Sequence, residues 1–163
     1  GLDADKDIEK VPMGDQYGRL ETVTSGKTNA DFVVEPYVSL GESQGVIRVL
    51  NVVGEFYPKY QWGIIAASDT MLREDPELLE RAMTAFRQSC RSLSENFEEA
   101  AGIGGKVFEI ETDAFRKSLE RNLPSWELDA QLDEEGMQNC FRIQKEMGAV
   151  PGDFDFKDIA FQL

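Results

Sequence analysis

The sequence predicts an α/β fold whose C-terminal half is helical, and three features carry that expectation. Short apolar runs of strand length alternate with helical patterns over residues 8–53, as in βαβ units. An unbroken apolar run, Trp62-Gly63-Ile64-Ile65-Ala66-Ala67, has the length and composition of a buried strand. From Asp75 onward, apolar residues recur at three- and four-residue steps, the period of a helix with one buried face.

Taken in order, Ile8 to Met13 is a short strand candidate, and Gly14-Asp15 leads into a helix from Gln16 to Ser25 that carries Tyr17, Leu20 and Val23. Gly26-Lys27-Thr28-Asn29 breaks that helix. Ala30 to Val34 is a second apolar run of strand length. Pro36 then suits the first turn of a helix reaching Glu42, Gly45 ends it, and Val46 to Val53 reads as a third strand. A loop with Gly54, Pro58 and three aromatics leads to the strand at Trp62–Ala67.

The helical half opens at Asp75-Pro76-Glu77, where a capping carboxylate is followed by proline at the first helical position and an acid in the first turn. Leu79, Met83, Phe86, Cys90 and Leu93 give that helix one apolar face as far as Asn96. A shorter helix covers Phe97 to Ala101 and stops at Gly102 to Gly105; Thr112 caps another, with Phe115, Leu119 and Leu123 on one face before Pro124. The last runs from Asp133 with Met137, Cys140, Phe141 and Met147, and Gly148 is its expected left-handed C-terminal residue. The tail from Gly152 is acidic and aromatic, with a turn at Lys157–Phe161.

Composition removes several functions. Lysine and arginine total 17 against 31 aspartate and glutamate, so the net charge is −14, which repels phosphate backbones and anionic membranes. There is no histidine, hence no Ser-His or Cys-His nucleophile and none of the commonest metal ligand. Cys90 and Cys140 lie in helical patterns without a CxxC, and read as small buried side chains, with a disulfide between their helices as the alternative. The acids of Asp3-Ala4-Asp5-Lys6-Asp7 lack the spacing of a calcium loop, and Glu98-Glu99, Asp133-Glu134-Glu135 and Asp153-Asp155 read as solvated faces. No metal and no cofactor are expected. No run approaches the ~20 apolar residues of a membrane span, and Gly1 reads as a cleavage scar or an artificial boundary rather than a natural start.

Five motifs in order resemble the nitrate/sulfonate/taurine and thiamine-precursor family of type 2 periplasmic solute-binding proteins. They are Gly1-Leu2-Asp3 with Asp7-Ile8, Ser25-Gly26-Lys27-Thr28-Asn29-Ala30-Asp31, Glu35-Pro36-Tyr37, Trp62 to Ala67, and Asp75-Pro76-Glu77 with Ala82-Met83-Thr84-Ala85. The resemblance implies the C-terminal portion of a two-lobed fold: residues 1–57 in the second lobe, 58–61 the hinge, and 62–163 returning to the first lobe. It implies a solute-binding component of an ABC importer, extracytoplasmic, docking to a permease and performing no chemistry. The alternatives are an enzyme of the same superfamily making a thiamine pyrimidine precursor, whose histidine and cysteine-rich motif are absent from these residues, and an effector-sensing domain of a regulator. Because the family's N-terminal strands are missing, unpaired edges are expected to make the fragment self-associate.

Ligand contacts are expected where strands end and helices begin. Gly14, Asp15 and Gln16 can offer backbone donors to a carboxylate, sulfonate or ring oxygen, or can form an ordinary capped turn. Glu35 can accept from an amino group and Tyr37 can stack on a ring, or Glu35 can simply favour its own helix N-terminus. Tyr60, Gln61 and Trp62, beside Phe56 and Tyr57, can wall a cleft for a flat ligand, or pack as core. An amino- or ring-bearing solute, or a sulfonate, is the expected ligand.

Overall fold

The structure, a computed structural model, describes Gly1, Asp3 and residues 5–160. The Leu2 part of the opening motif and the Phe161 end of the predicted terminal turn lie outside the described residues. Among the described residues there is no β-strand, so the predicted α/β, two-lobed architecture is not the fold of this chain. Eight α-helices carry the structure: α1 (Gln16–Thr24), α2 (Tyr37–Ser43), α3 (Val53–Phe56), α4 (Asp69–Glu74), α5 (Pro76–Glu95), α6 (Phe97–Phe108), α7 (Thr112–Asn122) and α8 (Glu134–Glu146). Short 3-10 turns follow at Leu123–Ser125 and Phe156–Asp158.

All four predicted strands are corrected by the same physics. Ile8–Met13, Ala30–Val34, Val46–Val53 and Trp62–Ala67 carry strand-forming side chains but meet no neighbouring strand, and a strand exists only through its ladder of cross-strand hydrogen bonds. Many of their apolar side chains stay exposed, from Ile8 and Val11 through Val49 and Leu50 to Ile64 and Ile65. Val53 is drawn instead into α3. The stretch predicted as an interlobe hinge, Pro58–Gln61, is a loop anchored on α8, with no sheet for it to leave or enter.

The first compact unit comprises Gly1–Leu50 and Phe97–Ser125. Its core joins Leu20 of α1, Leu40 of α2 and Ala114 of α7, with Tyr37, Ile47 and Ile110 packed around them. Helices α6 and α7 form a hairpin across a three-residue connection, and the predicted glycine stop at Gly102–Gly105 is instead helix interior. The reason is close approach rather than termination: a Cβ on Gly104 would lie 2.0 Å from Cε1 of Phe115, and one on Gly105 3.1 Å from the carbonyl oxygen of Ile110. Those glycines let α7 seat against α6. Arg19 on α1 pairs with Asp31 at 3.0 Å and donates to the carbonyls of Met13 and Phe32, tying the irregular segments to the helix.

The second unit comprises Asn51–Asn96 and Trp126–Leu163. Helix α5 begins as predicted, with Asp75 accepting from the Leu78 amide at 3.0 Å and Pro76 in the first turn. Asp129 holds the loop before α8 on α5: its carboxylate pairs with Arg91, and its carbonyl accepts from Nε of Arg87 at 3.0 Å. Gly148, at φ +69°, ends α8 in the left-handed region, as predicted. Phe141 lies against Phe154 and Phe156, at ring separations of 4.9 and 6.1 Å. Cys90 and Cys140 are free and partly buried. No helix among the described residues is long and apolar enough to cross a membrane.

Candidate functional site

In the second unit the loop after α3 turns back onto α8. Lys59 takes a left-handed conformation, φ 53°, which reverses the chain. Three contacts then fix it: Lys59 pairs with Glu135, Asn139 donates to the Lys59 carbonyl at 3.2 Å, and the Gln61 amide donates to the Gly136 carbonyl at 3.3 Å. Gly136 is required by that approach, since a Cβ there would stand 2.8 Å from a carboxylate oxygen of Asp133 and 3.2 Å from the Gln61 nitrogen. Between loop and helix lies a hollow of about 130 Å³, walled by Phe56, Tyr57, Pro58 and Tyr60 on one side and by Asn139, Arg142 and Ile143 on the other.

The hollow offers ring faces, one aliphatic side chain, an amide and a cation. Arg142 reaches Glu146 one turn on, at 2.9 Å, so its charge is partly spoken for. A hydrogen bond with Cys140, and then burial, push the Tyr60 phenol above its ordinary value, so it stays neutral at physiological pH. The glutamate beside Lys59 raises that ammonium as well. Arg142 lines a second, open depression of about 620 Å³ between α8 and the segment 153–157. Among the described residues no three Cys, Asp or Glu side chains gather closely enough to hold a metal ion.

The other sequence candidates sit in the first unit. Asp15 caps α1, accepting from the Gly18 amide at 2.7 Å, and Gln16 accepts from the Val34 amide at 3.3 Å. Glu35 has a largely buried carboxylate, 7% exposed: one oxygen accepts from Arg121 at 2.6 Å and the other from the Ser39 amide at 3.0 Å. Arg121 also reaches Glu42 at 2.7 Å, and the Glu42 hydrogen bond is the main reason its guanidinium is held firmly charged. Tyr37 packs between Tyr17 and Phe108. Thus α1, α2 and the chain before α2 bring Gly14–Gln16, Glu35 and Tyr37 into one unit, with the side chains of Asp15, Gln16 and Glu35 engaged by protein partners.

Of the third candidate group, Tyr60 lines the hollow, Gln61 turns its amide to the Gly63 carbonyl at 2.6 Å, and Trp62 is 69% exposed. Asn139, Arg142 and Ile143 were not expected at a site. They share one face of α8 at three- and four-residue steps, a signal present in the sequence but overshadowed by the apolar face of Met137, Cys140 and Phe141. No protein-family model matches the chain, and neither does any curated protein or solved structure.

Proposed function

We propose that the chain binds a small solute without changing it, as the binding component of an ABC importer outside the cytoplasm. The observation that carries the binding reading is the hollow closed by the Phe56–Tyr60 loop on α8. Its volume, about 130 Å³, is well below the ~300–1,000 Å³ of sites for drug-sized ligands, and suits a single small ring or a compact headgroup. Phe56, Tyr57 and Tyr60 offer faces to a flat solute, Asn139 can orient it, and Arg142 can receive a sulfonate, carboxylate or ring acceptor. Nothing in the lining pairs a nucleophile with a base, which favours capture over catalysis. The importer and permease part of the reading rests on the order of sequence motifs.

The test is calorimetry of the chain against pyrimidines, taurine, alkanesulfonates and nitrate. A ring-bearing or sulfonated solute should give a saturable heat, Tyr60→Ala should weaken it at least about tenfold, equivalent to about 1.4 kcal/mol, and the solute should be recovered unchanged by mass spectrometry. No heat with any of the four classes, or full affinity in the Tyr60→Ala protein, would reject the site; a chemically altered solute would favour the enzyme instead.

A further inference from the structure

We propose that the open depression between α8 and the segment 153–157 is a second binding site, and that it takes a nucleoside monophosphate. The site stands apart from the smaller hollow. Arg142, which lines both, is tied to Glu146 and is not counted toward this one.

At about 620 Å³ the depression lies within the ~300–1,000 Å³ of small-molecule sites. Its floor is aromatic. Phe156 is buried, Phe141 lies parallel to it at 6.1 Å, and half-buried Phe154 leans on Phe141 at 4.9 Å. Along α8, Gln138, Phe141 and Lys145 follow at three- and four-residue steps. An amide, a ring and an ammonium therefore line one wall in that order, over roughly 10 Å of helix.

The charges decide the ligand. Of the acids in the lining, Glu146 is held by Arg142 at 2.9 Å, and Asp155 accepts from the Lys157 amide at 3.0 Å. Among the described residues no partner engages the ammonium groups of Lys145 and Lys157 or the carboxylate of Asp153. Two unpaired ammoniums match a phosphate monoester, which carries about −1.5 to −2 at pH 7, better than the single charge of a carboxylate or sulfonate. They also outweigh the roughly −0.5 at the C-terminal end of α8 beside Lys145. The Asp153 carboxylate is an acceptor only, and suits the hydroxyls of a ribose. The faces of Phe141 and Phe154 suit a base, because every base has a flat face that stacks on an aromatic ring. Ring, hydroxyls and phosphate occur in that order in one ligand class. The net charge of −14 repels phosphate polymers at a distance, but charges farther than ~8 Å are largely screened at physiological salt, so the two lysines govern a single phosphate in contact.

Calorimetry of the chain with adenosine monophosphate, its dideoxy form, adenosine and inorganic phosphate tests this. Adenosine monophosphate should bind saturably, adenosine and inorganic phosphate should each bind at least about tenfold more weakly, and the dideoxy form should be weaker than its parent. Lys145→Gln/Lys157→Gln should lower the affinity for adenosine monophosphate at least about tenfold with an unchanged helical signal in circular dichroism. The proposal would be overturned by the absence of saturable heat, by adenosine, inorganic phosphate or the dideoxy form binding as tightly as the nucleotide, or by full affinity in the double variant. Should the double variant lose its helical signal, Lys145→Gln and Lys157→Gln are measured singly, and full affinity in both would overturn the proposal equally.

Discussion

The two compact units handle their apolar residues differently. The unit of residues 1–50 and 97–125 buries Leu20, Leu40, Ala100, Ala101, Ala114 and Leu119, whereas the unit of residues 51–96 and 126–163 buries Leu79, Met137 and Phe156. In the first, helices meet at small residues and two arginines each bridge a pair of acids: Arg116 bridges Glu98 and Asp113, and Arg121 bridges Glu35 and Glu42. In the second, α5 runs for twenty residues with one fully buried apolar residue, and the chain before it leaves Val52, Phe56, Ile64 and Ile65 in solvent. A self-sufficient core needs apolar faces that meet one another, and amphipathicity alone does not provide that. The proposed solute site accordingly lies in the second unit, where apolar surface is available.

The largest expected effect probes the tight packing of the first unit. Gly104→Ala forces a methyl into the Phe115 ring and should destabilise by about 1–3 kcal/mol in urea unfolding. Gly102→Ala, on the same helix with open space around it, should instead stabilise by about 0.5–1 kcal/mol. If the two changes behave alike, the hairpin is not close-packed and the contrast between units weakens.

Next in size, Arg121→Met strands the buried Glu35 carboxylate. The cost should be about 1–2 kcal/mol, below the ~3–5 kcal/mol of a fully buried pair because Arg121 is 43% exposed and water screens it. Restoring stability with the additional change Glu35→Gln would show that the cost lies in the unpaired charge.

The smallest effect belongs to the second unit. With its phenol raised by Cys140 and burial, Tyr60 should titrate above the ordinary tyrosine value of ~10, seen as a late rise in phenolate absorbance that Tyr60→Phe removes. The neutral phenol is the form the fold favours. Its contribution to stability is thus complete below the ordinary tyrosine value of ~10 and is lost as pH rises through the higher folded value. Absence of any late rise that Tyr60→Phe removes would mean that the Tyr60–Cys140 contact does not persist in solution.

Some helices were legible from local signals, although α4, capped by Ser68, was not anticipated. The Asp75 cap, Pro76 and the apolar spacing from Leu79 to Leu93 specify α5 within a few residues of its observed ends, and Gly148 marks the end of α8. Strand signals at Val46–Val53 and Trp62–Ala67 were equally visible and did not become strands, because pairing depends on partners far along the chain that local pattern does not report. The run of glycines in α6 was misread for a related reason. A glycine serving as a helix stop and one serving as a seat for Phe115 are the same letter until the opposing helix is known. At the site, Tyr60 was legible as an aromatic at a turn, while Asn139 and Arg142 join it through contacts some eighty positions away in sequence.

The clasp between Gly104 and Phe115 also restricts motion. Sliding α7 along α6 by one residue, ~1.5 Å, would carry the ring off the bare Gly104 position and toward its same-face neighbours a turn away, Ala101 on one side and Phe108, already 5.4 Å from the Phe115 ring, on the other. The packing therefore favours one axial setting of the two helices, a keyed joint rather than a bearing.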